Sequence, residues 1–431
     1  MSKGGVGFQS LPYPSVMARA ATQMRTTIIF HWSLTRSKTR GQWRTTLTQD
    51  DSLLKFEVPE IIYGLGALSE IGNCARRLGG ERVMLVSDPG VVEAGWLDEA
   101  IKYLEQEDLG YVVYDNVVTN PRDFQVEEGF NLYAKKKCDV IVAVGGGSPI
   151  DTAKGIAIVV TNHGRIHEYE GCNQVVHPIP PLVCAPTTAG TGADVSQFAV
   201  ITDTERKMKM TILSRAIMPD ISLVDPRLLQ TKPPELMAAT GMDTLTHALE
   251  AYVSSLAWAM TDPHAIHAIE LVVGNLVQAV RFKNREALEG MSIACLESGM
   301  AFSNAILGAV HALAHPLGGL FDIHHGIANS VLLPGVIREN LGHSTVKYAR
   351  IAQAMGVQTA GMKTEQAAEC VLEEILKLIE ALELPTSLSA LGVKAEDIPR
   401  LAEMAQQDIC MLTNPYRYST EEIERLYRAA L

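Results

Sequence analysis

The chain has 431 residues, of which 47% are hydrophobic and 20% are charged, and this composition excludes wholesale disorder. A formal net charge of −12 argues against nucleic acid as the main ligand, because phosphate binding needs a cationic face. No stretch of about 18 uncharged apolar residues occurs, so we expect neither a membrane span nor a membrane partner.

The first 50 residues form a basic segment, with seven Lys or Arg and no Asp or Glu before Asp50. Two interpretations stay open: a poorly ordered extension, or a transit peptide that would direct the protein to the mitochondrial matrix. Seven cysteines without a C-x-x-C pair favour a reducing compartment, and the cytoplasm is the expected location if the segment is only an extension.

Residues 51–232 alternate between strand and helix patterns. The apolar, β-branched runs Arg82–Ser87 and Val140–Val144 are typical of buried parallel strands, whereas Leu97–Gln106 and Val126–Lys137 have helical spacing. This alternation predicts a doubly wound α/β domain that binds a dinucleotide.

A glycine-rich loop follows the second of these strands. Gly145, Gly146 and Gly147 let the backbone approach an anion closely, and the helix that begins near Pro149 directs its positive end at that point. The loop therefore fits a pyrophosphate, although a tight strand–helix turn without a ligand accounts for it equally well. The turn 186–192 (PTTAGTG) is a further candidate nucleotide loop, with an ordinary polar loop as its alternative.

Asp88 ends the first strong strand, where a carboxylate can accept hydrogen bonds from ribose hydroxyls and repel a 2′-phosphate. It favours NAD over NADP; a helix cap is the alternative interpretation.

From Pro233 onward the patterns become helical, which predicts an all-helical domain over residues 233–431. The predicted long helices are Glu235–Ser255, Pro263–Phe282, Ala287–Ala305 and Thr364–Leu382.

Seven of the twelve histidines fall between residues 243 and 325. Asp243 and His247 are spaced i, i+4 on one helical face, His311 and His315 repeat this spacing, and His324 and His325 follow after a loop. One carboxylate and three imidazoles suit a first-row divalent ion such as Fe(II), Co(II) or Zn(II). The residues alone do not decide between His311 and His315, or between His324 and His325. His264 and His267 are expected on a helix surface.

Four strings of the sequence together resemble the iron-containing (group III) alcohol dehydrogenases. They are GGGSPIDTAKG, PTTAGTGADVS, MDTLTHALEAY and HALAHPLGGLFDIHHGIANSVLLP, in that order. The resemblance covers about Leu53 to Leu431. It implies a Rossmann-like parallel sheet in the N-terminal domain and an all-α, metal-binding C-terminal domain, as in dehydroquinate synthase-like folds.

The resemblance also implies roles for individual residues. The metal ligands would be Asp243, His247, His311 and His325, and His315 would lie near the nicotinamide without binding the metal. In that place we expect His315 to be the catalytic proton relay. Phe302 would line the substrate pocket. The implied cofactor contacts are Asp88, Asn120, Gly147, Ser148, Asp151, Thr187, Thr188 and Lys209. The chain departs from the family pattern at Phe198, where some members have an asparagine, and at His324, where a proline is frequent.

The resulting expectation is a metal-dependent, NAD-linked alcohol dehydrogenase or aldehyde reductase with Fe(II), or alternatively Zn(II), as Lewis acid. NADP is the disfavoured cofactor, the substrate is a small alcohol or aldehyde, and a homodimer or larger homo-oligomer is expected. Two alternatives stay open: a hydroxyacid–oxoacid transhydrogenase, and a dehydrogenase-like regulatory protein with low turnover.

Overall fold

The computed structural model describes residues 54–431, and Phe56–Leu431 form one compact unit. The basic segment of residues 1–50 lies outside the described residues, so both interpretations of it stay predictions.

A parallel sheet organises the N-terminal half of the described chain. It contains six strands within residues 54–431, in the spatial order β1-β9-β6-β4-β2-β3, and every neighbouring pair is parallel. Its strands are β1 (Glu60–Tyr63), β2 (Arg82–Val86), β3 (Gly110–Tyr114), β4 (Val140–Gly145), β6 (Leu182–Pro186) and β9 (Ile221–Val224). The predicted Rossmann-like parallel sheet is confirmed.

Both faces of this sheet are buried, which explains why its central strands are apolar throughout. In β2, Met84 packs into the core on one face, whereas Val83 and Leu85 pack into the core on the other. The helices that cover the two faces are α1 (Ile71–Arg77), α2 (Pro89–Glu93), α3 (Trp96–Gln106), α4 (Asp123–Lys136) and α5 (Gly147–Asn162).

A small second sheet adds three strands that the sequence patterns did not predict. An antiparallel hairpin joins β7 (Phe198–Asp203) to β8 (Met208–Leu213), and β5 (Gly171–Cys172) pairs with β8. This hairpin is important for the site because it carries Lys209.

The chain becomes helical after β9, as predicted. The first helix of this part begins at Pro234, and the domain division predicted at residue 232 stays a prediction. The helices are α6 (Pro234–Val253), α7 (Asp262–Phe282), α8 (Arg285–Ala305), α9 (Ala309–Phe321), α10 (His325–Asn340), α11 (Thr345–Ala354), α12 (Thr364–Ala381), α13 (Ile398–Gln406) and α14 (Thr420–Ala429).

Helix α7 is long and apolar enough to cross a membrane by length and composition, although the sequence patterns predicted no span. Helices α8 and α9 would pass the same test as one broken span, but they meet at a bend of 101°. The buried residues of α7, such as Ala265, Ile269, Val272 and Leu276, form a stripe at helical spacing, and α7 packs against α6 and α8. This arrangement is typical of a core helix.

Candidate active site

A cavity of about 920 Å³ lies where the carboxyl ends of β2 and β4 face helices α6, α9 and α10. The order of the strands reverses between β2 and β4, and such a switch point is where open α/β sheets bind ligands. All but one of the predicted site residues line this cavity: Asp88, Asn120, Gly147, Ser148, Asp151, Thr188, Lys209, Asp243, His247, Phe302, His311, His315 and His325.

The glycine-rich loop forms the wall at the start of α5. A Cβ atom at Gly147 would lie 2.7 Å from Cγ2 of Thr191, and one at Gly146 would lie 3.1 Å from the Thr188 side chain. Glycine is therefore required for the two loops to approach each other. Among the described residues no side chain caps the start of α5, so its first N–H groups suit an anionic ligand.

Asp88 both lines the cavity and caps a helix. Its Oδ1 accepts a hydrogen bond from the Val91 N–H at 3.0 Å at the start of α2. The cap interpretation is thus correct, and one carboxylate oxygen remains to face the cavity. A contact between Asp88 and a ribose stays a prediction.

Thr187 is the predicted site residue that does not line the cavity. Its side chain is fully buried, and its Oγ1 has no hydrogen-bond partner in residues 54–431. Its backbone N–H donates to the Gly145 carbonyl at 2.9 Å and so ties the two loops together. A cofactor contact from this side chain stays a prediction.

Asn120 is held in place by the C-terminal end of α9. Its backbone is left-handed, with φ of 56°, and its Nδ2 donates to Oδ1 of Asp322 at 2.7 Å. Arg122 donates to the other oxygen of Asp322 at 3.3 Å. The helix that carries His311 therefore also positions the predicted cofactor contact.

Two partly buried ionisable side chains, Asp151 and Lys209, line the same cavity. Burial raises the pKa of Asp151 to about 6, although its Oδ2 accepts a hydrogen bond from the Val200 N–H at 3.1 Å. Burial lowers the pKa of Lys209 to about 8, against the opposing effect of Asp151 and Asp243. Gly318 lets α9 pack closely on Lys209, because a Cβ atom there would lie 2.7 Å from Cε of the lysine.

Lys154 is a buried ammonium group that the sequence analysis did not single out. Its Nζ donates to three backbone carbonyls of the segment that leads into β7, at 2.6 Å to Ala193, 2.6 Å to Ser196 and 2.8 Å to Phe198. This side chain fixes the segment between β6 and β7 together with the first residue of β7, and this part of the chain supplies Thr191 and Phe198 to the cavity.

Four predicted ligands converge at the helical wall of the cavity. Asp243 and His247 lie on α6, His311 on α9 and His325 at the start of α10, and one donor atom from each lies within 4.8 Å of the others. The imidazole Nε2 atoms lie 3.6 to 3.8 Å from Oδ1 of Asp243. The structure thus brings together His311 rather than His315, and His325 rather than His324.

Most of the outer contacts of this cluster were not predicted. Nδ1 of His311 lies 2.6 Å from Oε2 of Glu250, and Nδ1 of His247 lies 3.2 Å from the Gly190 carbonyl. Nδ2 of Asn329 donates to Oδ1 of Asp243 at 2.7 Å. Glu250 follows Asp243 by seven residues on one helix, so the same-face spacing was a signal that could have identified it.

The electrostatics favour a cation where the four donors meet. Burial tends to raise the pKa of Asp243, but the neighbouring imidazoles lower it below its ordinary value, so the carboxylate is ionised. Burial lowers the pKa of His247 to about 4 and that of His325 well below its ordinary value, so both imidazoles are neutral. At His311 burial acts in the same direction, but Asp243 and Glu250 raise the pKa to about 9.

The residues present fit both a metal ion and a dinucleotide. One carboxylate and three imidazoles form a donor set that first-row divalent ions accept. Glu250 and the Gly190 carbonyl hold the outer nitrogens of two imidazoles, as is usual for histidines that bind metal. The opposite wall offers the start of an uncapped helix, which suits a pyrophosphate.

Two aromatic rings close the cavity beside the cluster. The ring of Phe302 stacks on His247, with centroids 4.4 Å apart and planes 23° apart, and Phe198 lies 5.8 Å from Phe302. Phe198 therefore takes part in an apolar wall of the cavity.

The other four histidines between residues 243 and 325 occupy different environments. His315 lines the cavity, and its Nδ1 lies 2.6 Å from Oδ2 of Asp408. His324 also lines the cavity, and its buried Nδ1 has no partner among residues 54–431. His264 and His267 face Glu297 outside the cavity, at the helix surface where we expected them.

Comparison with known proteins gives consistent results for the whole described chain. Residues 59–226 match the family model described as iron-containing alcohol dehydrogenase, and residues 237–431 match the C-terminal model of the Fe-containing alcohol dehydrogenase family. A 1,3-propanediol dehydrogenase of Citrobacter freundii is 44% identical over 382 residues, which is 88% of this chain and 99% of the relative.

Two further matches cover nearly the same share of this chain. An NAD-dependent methanol dehydrogenase of Bacillus methanolicus is 38% identical over 377 residues, which is 87% of this chain and 99% of the relative. The crystal structure of a 1,3-propanediol oxidoreductase is similar with a TM-score of 0.86 and 42% identity, and the match covers 88% of this chain and 100% of that one.

Proposed function

Because the chain belongs to the family of iron-containing alcohol dehydrogenases, we propose that it transfers hydride reversibly between a small alcohol and NAD at a divalent metal centre, with Fe(II) as the metal. One observation carries this proposal: the carboxylate of Asp243 and three imidazoles converge in the same cavity that the glycine-rich loop lines.

In this proposal Asp243, His247, His311 and His325 hold the metal. A bound divalent ion supplies Lewis acidity, which lowers the pKa of a hydroxyl group. For water, the pKa can fall from 15.7 to about 7. Zn(II) is the alternative ion, since the same donor set accepts it. The Gly190 carbonyl and Glu250 lie against Nδ1 of two ligands, so Nε2, which faces Asp243, is the nitrogen that would coordinate.

The opposite wall would bind the dinucleotide. The nicotinamide supplies the hydride acceptor when bound. Gly147 and Ser148 would place backbone N–H groups against the pyrophosphate, and Asp88 would accept a ribose hydroxyl, which favours NAD. Asn120 and Lys209 would orient the part of the cofactor that lies nearest the metal ligands.

The remaining residues would prepare the substrate. Phe198 and Phe302 exclude water from the space beside His247 and favour the alkyl part of a small alcohol. His315 would take the hydroxyl proton at Nε2, since its Nδ1 is committed to Asp408. The relatives named for 1,3-propanediol and methanol make these two alcohols the first substrates to test.

The test is anaerobic purification, metal analysis, and an alcohol panel in which NADH formation is followed at 340 nm. We expect close to one metal ion per chain and NADH formation with at least one small alcohol. His311→Ala should abolish activity together with metal binding, whereas His315→Ala should keep the metal and lose about 10²–10⁴-fold in kcat. Equal losses of kcat in His311→Ala and His315→Ala, with metal retained in both variants, would contradict the larger role assigned to His311.

The same assay separates the alternatives. A transhydrogenase would pass hydride between a hydroxyacid and an oxoacid without releasing NADH, and a regulatory protein would bind NAD and metal with little turnover. The cytoplasmic location and the homodimeric or larger assembly are proposals as well. Imaging of the full chain and of a chain lacking residues 1–50 would test the first, and light scattering would test the second.

A further inference from the structure

His315 is paired with a carboxylate that comes from a distant part of the chain. Asp408 precedes the 3-10 helix Ile409–Thr413, and its Oδ1 accepts a hydrogen bond from the Cys410 N–H at 2.8 Å. Its other oxygen, Oδ2, lies 2.6 Å from Nδ1 of His315. Asp408 is largely buried, so water competes little for either oxygen.

This geometry determines which nitrogen of His315 carries a proton. An ionised carboxylate only accepts hydrogen bonds, so Nδ1 of His315 must be the donor. In the neutral imidazole, Nε2 then holds a lone pair and can accept a proton. The His315 ring also stacks on His325, with centroids 5.3 Å apart and planes 14° apart, so the ring has little freedom to turn over.

We propose that Asp408 is a positioning residue that holds His315 in the Nδ1–H tautomer, with Nε2 presented to the cavity as the proton acceptor. This inference rests on the proposed function. In the step concerned, the O–H bond of the alcohol breaks, its proton forms the Nε2–H bond, and its electron pair stays on the substrate oxygen. The imidazolium that results donates its Nδ1–H to Asp408.

An amide at position 408 would reverse the tautomer. In Asp408→Asn, the carbonyl oxygen has to face the Cys410 N–H, because an NH₂ group there would meet a donor. The NH₂ group is then directed at His315, whose Nδ1 must become the acceptor while Nε2 takes the proton. The substitution preserves size and the cap of the 3-10 helix but removes the proton acceptor from the cavity.

The experiment uses the zinc-loaded full chain, because Zn(II) is diamagnetic and redox-inactive. Long-range proton–nitrogen NMR of ¹⁵N-histidine reports which ring nitrogen carries hydrogen, and His315→Asn assigns the His315 signals. Steady-state kinetics, NADH titration and metal content accompany it. Asp397→Asn is the matched control, because Asp397 is partly exposed, lies outside the cavity and accepts the Lys394 N–H at 2.9 Å.

We expect His315 to carry its proton on Nδ1 in the parent and on Nε2 in Asp408→Asn. The kcat of this variant should fall by about 10²-fold, with KM changed by less than about threefold and with metal content and NADH affinity retained. Asp397→Asn should behave as the parent. If Asp408→Asn does not fold, Asp408→Ser keeps the cap with a side chain too short for His315, and it should lose kcat similarly.

A parental kcat in Asp408→Asn or Asp408→Ser would overturn the proposal, as would a parent in which Nδ1 of His315 carries no proton. So would a loss of kcat in Asp408→Asn that leaves the His315 tautomer unchanged. These outcomes differ from failure of the proposed function, in which the parent itself forms no NADH with any alcohol while the NMR measurement still reports the tautomer.

Discussion

Glu250 provides the sharpest test of how the metal ligands are held. Its side chain is only 5% exposed, and its carboxylate is fully used. Oε1 accepts the Val310 N–H at 2.6 Å, whereas Oε2 accepts the Gly308 N–H at 3.0 Å and lies 2.6 Å from Nδ1 of His311. Three donors thus converge on one carboxylate.

Glu250→Gln keeps the shape but replaces one oxygen with a donor. If the NH₂ group takes the Oε1 position, it meets the Val310 N–H. If it takes the Oε2 position, it meets the Gly308 N–H and forces His311 to move its proton from Nδ1 to Nε2, the atom that should coordinate. Loss of such an outer partner weakens metal binding about 10–100-fold, or about 1.4–2.7 kcal/mol.

The assay is competition for Zn(II) between the full chain and a fluorescent chelator of known affinity. Glu297→Gln is the matched control, since Glu297 contacts His267 at the same distance of 2.6 Å outside the cavity. Thermal unfolding in excess chelator checks that both variants fold. Equal zinc affinity in Glu250→Gln, Glu297→Gln and the parent would refute the role assigned to Glu250.

Two further predictions concern buried cations. Lys154→Met should lower the free energy of unfolding by about 3–5 kcal/mol, because three buried carbonyls lose their charged donor; an unchanged midpoint in urea would contradict this. For Lys209, burial lowers the pKa from 10.5 to about 8, so the folded state releases a proton that the unfolded state retains between these pH values. The parent should therefore gain stability relative to Lys209→Met as the pH rises from about 8 to 10.5, by about 3 kcal/mol in all. Urea titrations at pH 7.5 and 10.5 measure this change, and a constant difference between the two proteins would count against a lowered pKa of Lys209 in the folded state.

The sequence identified the parts of the fold whose burial leaves a strong pattern. Strands β2 and β4 are apolar on both faces, and four helices of the C-terminal half, α6, α7, α8 and α12, were predicted within about two residues at each end. Strands β1 and β9 have four residues each, too few to show a period. In the β7–β8 hairpin, five of the six residues of β7 are buried and two of the six residues of β8 are, so the two strands share no simple alternation that the sequence could show.

The site could be predicted as far as local spacing determines it. The i, i+4 spacing placed Asp243 and His247 on one face, and the same spacing left His311 and His315 equivalent. What distinguishes these two histidines is a partner far away in the sequence: Glu250 for His311 and Asp408 for His315. The spacing from Asp243 could have placed Glu250 on the ligand face, but it does not show which histidine each carboxylate contacts. That is determined by the packing of α9 between distant segments.

The four candidate ligands span residues 243 to 325 and belong to three different helices. A single ion held there would act as a crosslink across 83 residues of chain. A ligand that binds only the folded protein raises the free energy of unfolding in proportion to the logarithm of the ligand concentration. We therefore expect heat tolerance and resistance to proteolysis to increase with the metal concentration of the surrounding medium. Lack of the ion would shorten the lifetime of the protein as well as remove its activity.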